Sequence, residues 1–285
     1  MGRLENQFHV ALANKSAIGE SRHLAKQTGD DKEKIYSIKT MKKYRQVASE
    51  FAAYCENKGV NRMNKAKTLA DDYLASLRDS GKSAWTQQTA RSALHKLYGE
   101  QFTTVQLDQK KRSNITRSRL DTPSARHFSE KNNAELVNLL KHTGLRREEV
   151  ESLKGNQLHF FKGQAFLTIK GGKGGKNREV PILDNDERTI TLIRSTEPNK
   201  RVFDHVHSKC NVHGYRADYA CSMYLKYARN LSLLDRKEKY FCRKDKAGLV
   251  FDRKAMLITS KVLGHNRLNI VADNYLYTIW KELIT

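Results

Sequence analysis

A two-domain protein, mostly α-helical with one small antiparallel β-sheet, is what this chain predicts, and three observations predict it. Apolar residues recur at helical steps through the first third. A basic stretch without periodicity then runs from Asp108 to His127. Beyond it, two short β-type runs flank a glycine-rich segment before helical patterns return. The expected division is a helical domain over residues 1–107, a basic linker over 108–127 and an α+β domain over 128–285.

In the first domain, Tyr44, Val47, Phe51 and Tyr54 follow Met41 at three- or four-residue steps and make one apolar stripe, with Gly59 placed to end the helix. A second helical stretch runs from Ala66 to Leu77 and closes at Gly81. The third starts near Ser83, carries Trp85, Ala90, Leu94 and Leu97, and ends at Gly99. Their polar faces hold Lys39, Lys42, Lys43, Arg45, Lys82 and Arg91, and the linker adds Lys110, Lys111 and Arg112. A basic helical bundle with a charged tether suits a nucleic-acid backbone, and these are the candidate phosphate contacts. For any single one of them, an ordinary solvated face is the plainer alternative.

In the second domain Ser129 is placed to cap a helix carrying Leu136, Leu139 and Leu140, which Gly144 ends. Ala165 to Lys170 and Arg178 to Ile182 read as strands of a hairpin whose tip is Gly171-Gly172-Lys173-Gly174-Gly175-Lys176-Asn177. Helical patterns follow at Arg216 to Leu231, Met256 to Leu263 and Ile270 to Leu283.

Composition narrows the partners. Lys and Arg total 53 against 31 Asp and Glu, a formal charge of +22 with pI near 9.8, so a polyanion, above all nucleic acid, is the expected ligand. The 4 cysteines, Cys55, Cys210, Cys221 and Cys242, form neither a Cys-x-x-Cys pair nor a disulfide framework, which points to a reducing cytoplasm. Neither a signal peptide nor a long apolar run is read in the chain, so no membrane partner is expected.

The residues that carry chemistry all lie in the second domain. Arg146 follows the helix-ending Gly144, and Arg216 shares a helical face with His213. Two guanidinium forks can bracket the non-bridging oxygens of a phosphodiester and neutralise the charge that builds there as phosphorus becomes five-coordinate. Lys173, on its glycine-rich tip, is placed to protonate a leaving 5′ oxygen. The tip is not a nucleotide-binding P-loop. Lys170 stands where that motif needs its first glycine, and Asn177 replaces its Ser or Thr. His213 and His265 can hydrogen-bond a phosphate or carry the nucleophile's proton. Tyr275 and Tyr277 are the candidate nucleophiles; attack by either leaves a phosphotyrosine and a free 5′ hydroxyl, conserving the bond energy without ATP. The cluster His205, His207, Cys210 and His213 matches no standard zinc spacing, so neither a metal nor another cofactor is expected.

The segments Thr143-Gly144-Leu145-Arg146-x-x-Glu149, Gly172-Lys173-Gly-x-Lys176-x-Arg178-x-Val180-Pro181, His213-x-x-Arg216, Leu263-Gly264-His265 and Tyr275-Leu276 resemble, in order, the motifs of the tyrosine recombinases, or phage integrases. The resemblance implies a SAM-like helical core-binding domain and a catalytic domain clamping duplex DNA. It places Arg146, Lys173, His213, Arg216 and His265 around the scissile phosphate, with Tyr275 as nucleophile. It also implies specific recombination sites, four protomers exchanging strands through a Holliday junction in a prokaryotic cytoplasm at the nucleoid, and possible accessory DNA-bending proteins. Compared with the family, the stretch from Lys173 to His213 is short and that from Arg216 to His265 long. The additional charged residues, Leu231 to Arg253, resemble insertions in integrases of mobile elements. The spacing from His265 to Tyr275 is one residue beyond the common value, which keeps Tyr277 as the fallback. The tail residues Ile279, Trp280, Leu283 and Ile284 repeat at helical steps and would dock on a neighbouring protomer or on their own domain.

Two other readings use the same residues. A type IB topoisomerase performs the same chemistry on one site, relaxing supercoils. A DNA-binding architectural or regulatory protein would bind without cleaving. A metal-dependent nuclease is disfavoured, because no paired carboxylates stand near the basic motifs.

Overall fold

A computed structural model describes residues 2–111, 127–172, 176–243, 246–265, 267–276 and 279. The chain divides into two compact units, Met1–Lys110 and Lys111–Thr285. Arg112, Lys173, Tyr277, Trp280, Leu283 and Ile284 lie outside the described residues.

The first unit comprises α1 (Arg3–Ala13), α2 (Arg22–Thr28), α3 (Ile38–Glu56), α4 (Met63–Ala66), α5 (Ala70–Asp79) and α6 (Ala84–Tyr98). Helix α3 buries Met41, Val47, Ala48, Phe51, Ala52 and Cys55, while Tyr44 and Tyr54 pack on the margin of that core. Helix α1 has no counterpart in the sequence expectation, although Leu4, Phe8 and Leu12 recur every fourth residue and are all fully buried against α3. The single helix expected over Ala66–Leu77 is instead two, because the turn Lys67–Leu69 is wound as a 3₁₀ segment between α4 and α5. Helix α6 starts as expected, with the Ser83 hydroxyl accepting from the Thr86 amide, and Gly99 closes it in the left-handed conformation. Asp108, assigned to the linker by composition, is anchored to this unit: the buried Gln87 donates to its carboxylate at 2.7 Å and accepts from its amide at 3.0 Å.

The second unit runs α7 (Ala134–Thr143), α8 (Arg147–Glu151), β1 (Leu158–Phe161), β2 (Gln164–Gly172), β3 (Lys176–Pro181), α9 (Glu187–Arg194), α10 (Val212–Tyr227), β4 (Lys239–Phe241), β5 (Val250–Asp252), α11 (Arg253–Val262) and α12 (Leu268–Asn274). Strands β1, β2 and β3 form an antiparallel sheet in chain order, with Leu158 opposite Leu167 and Ile169 opposite Arg178. Strands β4 and β5 make a separate antiparallel pair inside the Leu231–Arg253 insertion. Asn177, the departure from a P-loop, accepts from the Gly171 amide at 2.9 Å and so holds the irregular end of the β2–β3 hairpin. The helix expected from Ile270 onward starts at Leu268, and Tyr275 stands at its C-cap with φ −127° and ψ −42°. Ile279 is buried in the core of its own unit.

Gly144 shows how closely α7 and α10 meet. It takes φ +56° to end α7, and a Cβ there would lie 2.3 Å from Cδ1 of Tyr219 on α10. Gly144→Ala therefore combines left-handed strain with overpacking and is expected to cost about 2–4 kcal/mol, to be checked by urea denaturation. Tolerance without loss would mean that α10 shifts freely beneath this turn.

Candidate active site

Helix ends deliver the chemistry. After Gly144 turns the chain, Arg146 becomes the N-cap of α8, and Glu149, three residues on, folds back onto it. The Glu149 carboxylate accepts from the Arg146 amide and from Arg146 Nη1, both at 2.7 Å. From β3, Arg178 donates to it through Nη1 and Nη2, again both at 2.7 Å. Burial alone would raise the Glu149 pKa, but the Arg178 fork, then the Arg146 amide and charge, overcome it and hold the value at about 2.

Helix α11 ends in a Schellman turn, which explains Leu263-Gly264-His265. Gly264 is left-handed at φ +70°, its amide donates to Lys261 O, and the His265 amide reaches back to Ser260 O at 2.8 Å. The Ser260 hydroxyl donates to His265 O at 3.0 Å, so both sides of His265 are pinned. The last carbonyls of this helix have no intrahelical donor. Here arginines supply them: Arg178 Nε donates to Val262 O at 3.0 Å, while Arg146 Nη2 and Arg216 Nη2 share Leu263 O at 3.0 and 2.6 Å. Three guanidinium groups thus meet the negative end of one helix, a favourable placement that also draws the two predicted phosphate forks together.

Arg216 lies one turn into α10, whose first turn Asn211 caps and in which His213 is exposed. Its side chain is only 2% exposed. Nη1 donates to Gly144 O, Nη2 to Leu263 O, and Nε to the phenol oxygen of Tyr275 at 3.2 Å. Burial works against its charge, and so does neighbouring Arg146, whereas Tyr275 and Glu149 support it. The same phenol oxygen lies 3.1 Å from His265 Nε2. The His213 ring lies 5.4 Å from that of Tyr275, and the Arg216 guanidinium 5.5 Å from it. Arg146, His213, Arg216, His265 and Tyr275 are therefore brought together. An Arg216 N–H donates to the phenol oxygen and the His265 imidazole reaches the same atom, which places a group able to carry a proton beside it.

Sequence reasoning missed Glu149 and Arg178 as parts of this site. Both stand inside the motifs, but the emphasis on cations hid the one carboxylate that joins Arg146 to Arg178. It also missed Arg147, whose fork takes the carbonyls of Val206, His207 and Cys210 at 3.1, 3.1 and 2.8 Å and so holds the loop leading to α10. In the first unit, Lys39, Lys42, Lys43 and Arg45 are exposed on α3, as are Lys82, Lys110 and, in the second unit, Lys111. Arg91 corrects the expectation of a solvent-facing cation: it is half-buried and donates to the Val105 carbonyl, securing the loop after α6. Among the described residues no group of three or more His, Cys, Asp or Glu is arranged to hold a metal.

Across nearly its whole length the chain superposes on a crystal structure of the XerH site-specific recombinase bound to palindromic difH substrate in a post-cleavage complex. The TM-score is 0.55, with 16% identity and coverage of 99% of this chain and 93% of that one. The fold is therefore that of this recombinase. The pre-cleavage complex of XerH with difH gives a TM-score of 0.53, also at 16% identity, covering 99% and 94%. In sequence, the tyrosine recombinase XerA of Pyrococcus furiosus is 53% identical over 47 residues, a match spanning 16% of either protein's length. No family model matches the chain. Among the described residues no helix is long and apolar enough to cross a membrane.

Glu149 makes this candidate site sensitive to acid. Its folded pKa, about 2, is below the ordinary 4.5, so its contribution is present above pH 4.5 and is lost as pH falls toward 2. That contribution is on the order of 3 kcal/mol. Glu149→Gln is expected to be less stable at pH 7 by a comparable amount and to lose much of this acid dependence, as read from urea midpoints between pH 7 and 3. A variant with unaltered acid dependence would assign the transition to other carboxylates, such as Asp252.

Proposed function

We propose that this chain is a site-specific recombinase that cleaves and rejoins double-stranded DNA through a 3′-phosphotyrosine at Tyr275. The observation that carries this reading is the placement of the Tyr275 phenol oxygen between Arg216 Nε at 3.2 Å and His265 Nε2 at 3.1 Å, with Arg146 on the carbonyl that Arg216 shares. The phenol oxygen attacks phosphorus as its proton passes to His265. Arg146 and Arg216 bracket the non-bridging oxygens where charge accumulates, with His213 at the rim. The bond to the 5′ oxygen breaks, and Lys173 is assigned to protonate that leaving group. Attack by a 5′ hydroxyl of the partner duplex reverses these steps and restores the tyrosine.

The remaining assignments follow the same reading. Residues 1–107, with Asp108 anchored to them, form the core-binding domain, 109–127 the tether and 128–285 the catalytic domain. The cations Lys39, Lys42, Lys43, Arg45 and Lys82 of the first unit, with Lys110, Lys111 and Arg112 of the tether, contact the DNA backbone. Four copies assemble on two sites in a prokaryotic cytoplasm, helped by DNA-bending proteins, to integrate or excise a mobile element.

The test uses DNA flanking the gene, nicked beside candidate phosphates so that the short 5′-hydroxyl fragment diffuses away. A protein–DNA adduct that forms in EDTA and is removed by protease supports the reading; scission without attached protein overturns it. Linear duplexes carrying two sites then separate the rivals. Recombinant junctions are expected, whereas relaxation of supercoils alone would favour the topoisomerase reading.

A further inference from the structure

The Leu231–Arg253 insertion is fastened at two places. At its base, Arg229 closes a fork on Asp252, with Nε to Oδ2 at 2.8 Å and Nη2 to Oδ1 at 2.9 Å, and extends Nη1 to Glu238 at 2.7 Å. Asp252 is fully buried and also caps α11 through the Lys254 amide. These contacts hold its carboxyl well below the usual carboxylate range: the Arg229 fork acts first, and burial opposes it. At the far end, the β4–β5 pair continues in a bond from the Cys242 amide to Leu249 O at 2.9 Å, and Lys246, which lies between these two residues in sequence, is buried. The Lys246 side chain is 6% exposed and forms an ion pair with Asp273 of α12, itself 23% exposed.

Asp273 belongs to the seven-residue helix whose C-cap is Tyr275. That helix buries Val271 and Ala272, packs Leu268 and Ile270 partly against the core, and is followed by the buried Tyr275 and Leu276, with the Tyr275 carbonyl accepting from Cys221 Sγ at 3.4 Å. A helix of seven residues gains little from its own backbone bonds, so its angle is set by what packs on it, and the ion pair adds a polar anchor beside those apolar contacts. A buried ammonium demands its partner, since leaving either charge unpaired there is expensive. The contact therefore links the far end of the insertion, whose base is fastened by Arg229 and Asp252, to the element that carries the candidate nucleophile.

We infer that the insertion is a strut for α12 and that Lys246, acting through Asp273, is a positioning residue for Tyr275. This rests on the reading of Tyr275 as nucleophile. In-line attack tolerates little displacement: a shift of about 1 Å costs on the order of a hundredfold in rate. The strut does not touch DNA phosphate in this scheme, so it governs the cleavage step and leaves DNA affinity alone.

The test combines Lys246→Met, Asp273→Asn, their double variant and Lys246→Arg in the full-length chain. At saturating nicked DNA, each single variant is expected to form adduct about ten- to a hundredfold more slowly, with the half-saturating DNA concentration unchanged. The double variant should be no slower than the singles, because the two act as one unit, and Lys246→Arg should recover most of the rate. Hydrogen exchange supplies a readout that needs no activity: Lys246→Met should speed exchange within Leu268–Leu276 and leave the β1–β2–β3 sheet as it was. Wild-type cleavage rates in Lys246→Met, or a rate loss with exchange raised throughout the second unit, would overturn the strut. Absence of adduct in the unaltered protein would instead overturn the parent reading, while the exchange result still decides whether Lys246 holds α12.

Discussion

Tyr275→Phe is expected to bind DNA as the unaltered chain does and to form no covalent adduct at all. The substitution is clean because only one atom does the chemistry. The ring keeps its packing beside His213 at 5.4 Å and His265 at 5.5 Å, and its place under the Arg216 guanidinium at 5.5 Å. What disappears is the phenol oxygen, and with it the partner of Arg216 Nε and His265 Nε2. Losing hydrogen bonds of this kind changes folding stability by about 1 kcal/mol, too little to unfold a two-unit protein. The loss of cleavage should therefore appear with unchanged melting and unchanged DNA affinity, measured by gel shift and by denaturing electrophoresis of nicked substrates. An adduct that persisted in Tyr275→Phe would transfer the nucleophile's role to Tyr277.

Much of this arrangement was legible in the sequence wherever one residue type has one physical reason to be there. Gly144 and Gly264 mark left-handed helix ends, and each is followed within two residues by a candidate site residue, Arg146 and His265. The three-residue spacing of His213 and Arg216 placed both on one helix. Other features were hidden because their signal depends on distant partners. Strand β1, Leu-His-Phe-Phe, lacks alternation; it sits at the sheet edge with Phe160 and Phe161 exposed. Helix α9 is eight residues long and offers only Ile190, Leu192 and Ile193 as apolar marks, of which Ile190 and Ile193 are buried. Nothing local in Glu149 says that its carboxylate joins an arginine three residues back to one on β3. Nor does the charged insertion reveal that Lys246 turns inward to α12. Arg91 misled for the same reason, since composition cannot tell a solvent-facing guanidinium from one spent on a loop carbonyl.

Arg216→Ala is expected to slow cleavage on the order of a hundredfold or more, and its cost reaches the fold as well as the reaction. Three of the guanidinium donors are committed inside the protein: Nη1 to Gly144 O, Nη2 to Leu263 O, and Nε to Tyr275 Oη. Each terminal nitrogen carries a second N–H, and that pair is what remains to meet the two non-bridging oxygens of a phosphate. Removing the side chain empties a buried volume, strips the Gly144 carbonyl of its donor, and leaves Leu263 O to Arg146 alone. A stability loss of about 2–4 kcal/mol is expected from these effects together. Arg216→Lys separates the two consequences. It retains a positive charge in the pocket but cannot hold Gly144, Leu263 and Tyr275 while also presenting a fork, so it should fold better than the alanine variant and cleave scarcely faster. Arg146 gives the contrast, being more exposed at 21% and sharing its work with Arg178 on Glu149. Arg146→Ala should lose cleavage on a similar scale with a smaller change in melting. Single-turnover rates on nicked DNA, taken below the melting transition of each variant, decide the matter. A wild-type rate in folded Arg216→Ala would mean that the guanidinium organises the helix ends without ever meeting the phosphate.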